Sequence, residues 1–239
     1  PALLDELINP ASLYHIPTQI ELAQELRQHM LRIEPNDLEA QMEGLRYFRW
    51  AQALKIAACE VADILPLMQV SDCLTYLAEV VVDYAYNLAK DDLIAKHGSP
   101  AGTQPLPFAI VAYGKLGGLE LSHGSDLDLV FLHQSDITAL TDGPKPIEAA
   151  VFYPRLAQKL IHILSTNTAS GQLYEVDVRL RPSGNSGPLV TRLSAFTKYQ
   201  RESAWTWEHQ ALVRARPITG EASLQQAFVE LRLAILCQP

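Results

Sequence analysis

The sequence predicts an α+β fold in which a helical segment precedes a small sheet, and three observations carry that expectation. Apolar residues recur at helical spacing up to about residue 97. Two short apolar runs, Phe108 to Tyr113 and Ser125 to Leu132, have strand length and flank a glycine-rich turn. A third stretch, Tyr174 to Pro182, alternates apolar and charged residues with period two.

Taken in order, Thr18 and Glu21 form a capping box ahead of Ile20, Leu22, Leu26 and Met30. Asn36 with Glu39 starts a longer helix, whose stripe runs from Leu38 through Met42, Leu45 and Phe48 to Leu65, and Pro66 ends it. Ser71 caps a third helix that stops near Gly98. Nothing catalytic stands out in this stretch, and its stripes read as core. Gly98 to Pro107, rich in Gly, Pro and Ser, is a linker and a boundary. Beyond the first two strands, Thr141 to Pro144 is a turn. Ile147 to Thr166 is a helix, in which Pro154 predicts a kink or a restart. After the third strand, Ser194 caps a helix through Gln200, and Ala204 to Arg216 reads as another, with Trp205 and Trp207 expected in the core. Glu208, Arg214 and Arg216 are left open between ion pairing and bordering a ligand. The division expected is a helical subdomain at 1–104, a catalytic core at 105–220 and the start of a further helical region at 221–239.

Composition excludes several classes. With 239 residues there is room for one large or two small domains, and 48% apolar against 19% charged residues suits a globular chain. The net charge of -8 disfavours a nucleic-acid partner. No apolar run reaches the roughly eighteen residues of a membrane span, and no signal peptide is visible, so neither a membrane nor export is expected. Cys59, Cys73 and Cys237 are odd in number and widely spaced, which suits reduced thiols in a cytoplasm. The chain opens on Pro1 and stops within an amphipathic pattern, Leu224 to Leu236, so a fragment of something longer is expected.

The chemistry concentrates in FAIVAYGKLGGLELSHGSDLDLVFLH, residues 108–133. Asp126 and Asp128 lie on one face of their strand, about 7 Å apart along the backbone. Two like charges at a buried strand's mouth call for a divalent cation, and hard oxygen ligands select Mg²⁺ or Mn²⁺. The turn holding Lys115, Gly117 and Gly118 lets backbone N–H groups approach phosphate, and Leu119 to Leu121 reads as a short helix start. On the third strand Asp177 would complete a three-carboxylate site, with Arg179 and Arg181 facing phosphate. Gly184 to Pro188 superficially suits the nucleophile loop of a serine protease. IAACEV supplies no histidine and lies in a helix, so that reading is rejected.

These residues carry a resemblance. Gly117-Gly118 followed by Asp126-Leu127-Asp128-Leu129 resembles the signature of the DNA polymerase β nucleotidyltransferase superfamily. GKLGGLELSHGSDLDLVF and EVDVRLRPSGNSGPLV are similar to the bacterial glutamine synthetase adenylyltransferases, bifunctional adenylyltransferase/adenylyl-removing enzymes. PALLDELINPASLY, VSDCLTYLAE and AWTWEHQALVRAR resemble that family's C-terminal, adenylylating domain. His123-Gly124 departs from the family pattern without touching the carboxylates. The resemblance implies a small mixed sheet preceded by an all-helical subdomain. It also implies transfer of AMP from ATP to a tyrosine hydroxyl of glutamine synthetase, releasing pyrophosphate. Two Mg²⁺ ions would be held by Asp126, Asp128 and Asp177. Ser125 and the Gly117-Gly118 backbone would hold phosphate oxygens, with Lys115 a further candidate. A PII-type signal protein would act on the full-length enzyme. Phosphorolytic removal of AMP, another nucleotidyl transfer, or a non-catalytic docking module remain open.

Overall fold

A computed structural model describes residues 17–100, 105–168 and 170–237. PALLDELINPASLY and part of the expected linker lie outside them. Among the described residues are eight α-helices and five strands in one mixed sheet, the α+β class expected.

Helix α1 (Gln19–Met30) begins at the expected capping box, with Thr18 and Glu21 bonding each other's backbone. α2 (Leu38–Val61) starts one residue later than the sequence suggests. Asp37, not Asn36, is its cap, because its carboxylate accepts the Ala40 N–H at 2.9 Å. It ends at Val61 rather than Pro66, and Asp63 follows in the left-handed region at φ 53°. Pro66 instead opens α3 (Leu67–His97), a position where a missing N–H costs nothing. Ser71 therefore lies inside α3, its carbonyl taking the Thr75 hydroxyl. Gly98, at φ 75°, ends the helix as expected.

β1 (Phe108–Ala112) and β2 (Leu127–His133) pair antiparallel, Ala112 opposite Leu129. The turn between them contains α4 (Gly114–Gly117), a single helical turn placed earlier than the expected one at Leu119. Leu119 itself is left-handed, at φ 59°, and cannot start a helix. α5 (Ala149–Ser165) runs through Pro154 as one helix, with no restart. β3 (Val176–Asp177) and β4 (Val190–Arg192) both pair parallel with β2. The third strand is far shorter than its alternation suggests. Asp177 Oδ1 accepts the Arg179 N–H at 2.8 Å, and the chain turns there. A 3₁₀ turn follows at Gly184–Ser186.

α6 (Leu193–Glu202) is led by Arg192, not capped by Ser194, and outlasts Gln200. The helix expected over 204–216 is only α7 (Thr206–Leu212). From Arg216 the chain becomes β5 (Arg216–Gly220), an antiparallel edge strand beside β1. Pro217 suits an edge, where its missing donor goes unneeded, and the register slips opposite Ile110 and Val111. Trp205 and Trp207 are exposed, at 70% and 55%, rather than core. α8 (Ala222–Leu236) closes the described chain.

The sheet is covered on both faces, and period-two alternation decides which residues go where. Phe108, Ile110, Leu129 and Phe131 belong to the cluster built with the helices α1, α2, α3 and α5. Tyr86, Phe131 and Tyr153 pack their rings around Phe108 with centroids 5.6, 6.0 and 6.1 Å from it. Val111, Tyr113, Val130 and Leu132 pack on the other face, against Phe196, Leu212 and Phe228 of α6, α7 and α8. Asp128 shares the parity of Val130 and Leu132, so it emerges on the α7 side.

Candidate active site

Three short-range devices assemble the site. Antiparallel pairing brings the end of β1 to the start of β2, where Tyr113 N–H donates to the Asp128 carbonyl at 2.9 Å. Parallel pairing sets Asp177 of β3 directly beside Asp128. Asp126 precedes β2 by one residue, with its side chain on the Asp128 face. Asp126, Asp128 and Asp177 each offer a carboxylate oxygen, all within 4.8 Å of one another. This is the convergence expected from the sequence.

The electrostatics fit a cation. Burial first, then the Asp126 and Asp177 charges, push the Asp128 carboxyl above the ordinary carboxylate range. Asp177 goes the other way, held low chiefly by its hydrogen bonds from Arg179. Arg179 Nε donates to Asp177 Oδ2 at 2.8 Å and Oδ1 at 3.0 Å, and its Nη2 also bonds the carboxylate. An all-oxygen donor set suits a hard divalent ion.

The other expected residues divide. Lys115 lines the cavity of about 370 Å³ over the carboxylates, together with Gly114, Asp126 and Asp128. Ser125 holds the loop before Asp126, its hydroxyl accepting the Ser122 N–H at 3.1 Å. Gly117 and Gly118 spend their N–H groups inside the turn, on the Tyr113 and Gly114 carbonyls at 2.9 and 3.1 Å. Their missing side chains have a packing reason, since a Cβ on Gly117 would collide with the Arg214 and Ala112 carbonyls. Arg181 braces the turn rather than facing the cavity, its Nη1 donating to the Val178 carbonyl at 2.6 Å and its Nε to the Gly187 carbonyl at 3.4 Å.

On the opposite wall the sequence marks only Arg214 as a candidate ligand neighbour, and it expects Trp207 in the core. Leu180, Trp207, Gln210, Ala211 and Arg214 complete the cavity. Positions 207, 210, 211 and 214 follow helical spacing, and this is the one signal that could have found them. Of the three residues left open, Arg214 lines the cavity and donates to Glu120 Oε2 at 2.7 Å. Arg216 lies behind the turn, bonding the Leu116 carbonyl at 3.2 Å and buried Glu79 of α3. Glu208 accepts the Tyr199 hydroxyl at 2.9 Å and caps Trp205 N–H at 2.8 Å.

A mixed sheet whose strand ends bring three carboxylates together beside a glycine turn offers the hard-oxygen site that a nucleotidyltransferase needs. The comparison with known sequences narrows this. The profile described as glutamate-ammonia ligase adenylyltransferase matches residues 1–231, and the chain belongs to that family. It is 54% identical over 240 residues, 99% of its length, to a protein of Pseudomonas syringae pv. tomato. That relative is named bifunctional glutamine synthetase adenylyltransferase/adenylyl-removing enzyme. Proteins of the same name from Pseudomonas putida and Shewanella frigidimarina are 54% and 51% identical over 100% and 99% of the chain. The chain spans about a quarter of the length of these relatives: 24%, 25% and 25%.

Proposed function

We propose that this chain transfers AMP from ATP to a tyrosine hydroxyl of glutamine synthetase, releasing pyrophosphate, in the cytoplasm. The observation that carries the reading is the set of three carboxylates, all with an oxygen within 4.8 Å, in a chain of this family. Asp126, Asp128 and Asp177 would hold Mg²⁺ or Mn²⁺, which when bound supplies charge neutralisation for the triphosphate and acidifies the attacking hydroxyl.

The remaining work belongs to the chain itself. Arg179 keeps Asp177 ionised and oriented, so the third carboxylate needs no deprotonation step. Lys115 places an ammonium at the cavity wall, where it balances phosphate charge. Ser125 and the turn through Gly117 and Gly118 fix the loops on either side of the pocket. The Arg179 side chain is 72% exposed, so exchanging Asp177 for a phosphate oxygen requires no unfolding. Arg181 steadies the turn on both sides of itself through the Val178 and Gly187 carbonyls.

A second reading is favoured by the relatives' name, which pairs addition with removal. Phosphorolysis would use the same carboxylates, with inorganic phosphate attacking the AMP–tyrosine bond. One assay tests both. ATP labelled in the α-phosphate, Mg²⁺ and glutamine synthetase are incubated with the chain. Label on the synthetase is the expected outcome; label released from pre-adenylylated synthetase only with phosphate would select removal, and neither result would leave a docking role.

A further inference from the structure

The cavity over the carboxylates has two unlike halves. Gly114, Lys115, Asp126 and Asp128 form a polar floor, while Leu180, Trp207 and Ala211 form an apolar side. Trp207, Gln210, Ala211 and Arg214 all come from α7 and its C-terminal extension, one face at spacings of three, four and seven. Trp207 is 55% exposed although it borders a concave site. A large aromatic ring left in water at a cavity wall is a surface that a planar ligand can cover. Arg214 reaches the same cavity with its guanidinium held by a Glu120 carboxylate, a pair half open to solvent and therefore weak.

Resting on the reading of the site as a nucleotidyl-transfer centre, we propose that this helix face is the wall that receives the nucleotide. The purine ring stacks on Trp207, and Arg214 exchanges Glu120 for a phosphate oxygen. A flat π-surface suits a base, and the stack is tolerant of which purine is bound. The exchange at Arg214 trades one charge-assisted bond for another with a more highly charged acceptor, and it needs only a side-chain rotation. Trp207 would thus set affinity through the base, and Arg214 through the phosphates.

The two roles separate by titrating Mg-ATP and Mg-tripolyphosphate into the 239-residue chain by calorimetry, without protein substrate. Trp207→Leu is expected to weaken ATP roughly ten-fold and leave tripolyphosphate unchanged, while Trp207→Phe restores most of the ATP affinity. Arg214→Ala is expected to weaken both ligands, and Glu120→Gln to tighten both. Label transfer by the unchanged chain is measured in the same preparations. Transfer with ATP affinity indifferent to Trp207 and Arg214 would overturn the wall and leave the transfer reading standing. No ATP binding by the unchanged chain would overturn both. Loss of tripolyphosphate binding on Trp207→Leu would show the tryptophan to be a structural support, against the proposal.

Discussion

Asp128 and Gly114 constrain each other. Gly114 is left-handed at φ 55°, and a Cβ there would run into the Asp128 carboxylate. The turn can therefore close over the carboxylate only with glycine at this point. Gly114→Ala should cost on the order of 1–3 kcal/mol of stability from backbone strain. It should also displace Asp128, so that transfer falls by far more than folding does. Urea unfolding and label transfer on one preparation check this; a fully active Ala variant would contradict it. Asp128→Asn separates charge from shape. Burial and then the neighbouring carboxylates already oppose its ionisation, so in chelator the Asn variant should be as stable as the parent or more stable. Transfer should nevertheless be abolished. A variant that fails to fold would make Asp128 a structural residue.

β2 shows how far an element can be read from its residues. An apolar run with two carboxylates at its head states both its burial and its chemistry, and the strand lies within a residue or two of the expected bounds. The third strand could not be read that way. Its period-two pattern is real, but Asp177 bonds the Arg179 N–H and turns the chain, a local competition that alternation does not report. β5 was hidden for another reason, since Arg216-Pro217-Ile218-Thr219-Gly220 gains strand character only from its neighbour β1. The far end of β2 carries a titratable group that the sequence alone does not mark out. His133 is buried against Tyr153, its Nδ1 accepting the Ser135 N–H at 3.2 Å. Burial, then Arg192, lowers its pKa from 6.5 to about 4. A depressed histidine pKa means the unfolded chain binds the extra proton first, so stability is lost as pH falls from about 6.5 to about 4. The loss is on the order of 3 kcal/mol. His133→Gln should remove that component from the pH profile of urea unfolding between pH 7 and 4; an unchanged acid slope would show that His133 already takes up its proton in the fold.

The helical segment and the sheet share one core, from Leu22 of α1 to Tyr174 beside β3, so the site is supported from a distance. Two polar ties cross the same boundary: Thr219 bonds Asp83, and Arg216 bonds Glu79. Arg216 is the more consequential, because its guanidinium also holds the Leu116 and Gly117 carbonyls, at 3.2 and 3.4 Å, behind the glycine turn. Glu79 is 5% exposed and in turn accepts from Gln19 of α1 at 2.7 Å. A chain of contacts thus runs from α1 through α3 to the turn that borders the carboxylates. Glu79→Ala removes the buried partner of a pair whose arginine is one-third exposed (33%) and keeps its two carbonyl bonds. The change should therefore cost on the order of 1–2 kcal/mol. It should also lower transfer by loosening the turn, with the larger effect on the turnover rate than on ATP affinity. Arg216→Ala should lose activity similarly, and the double variant should lose little more than either single one. Additive losses in that cycle, in stability and in rate, would show that Glu79 and Arg216 act separately and that the helices support the sheet through packing alone.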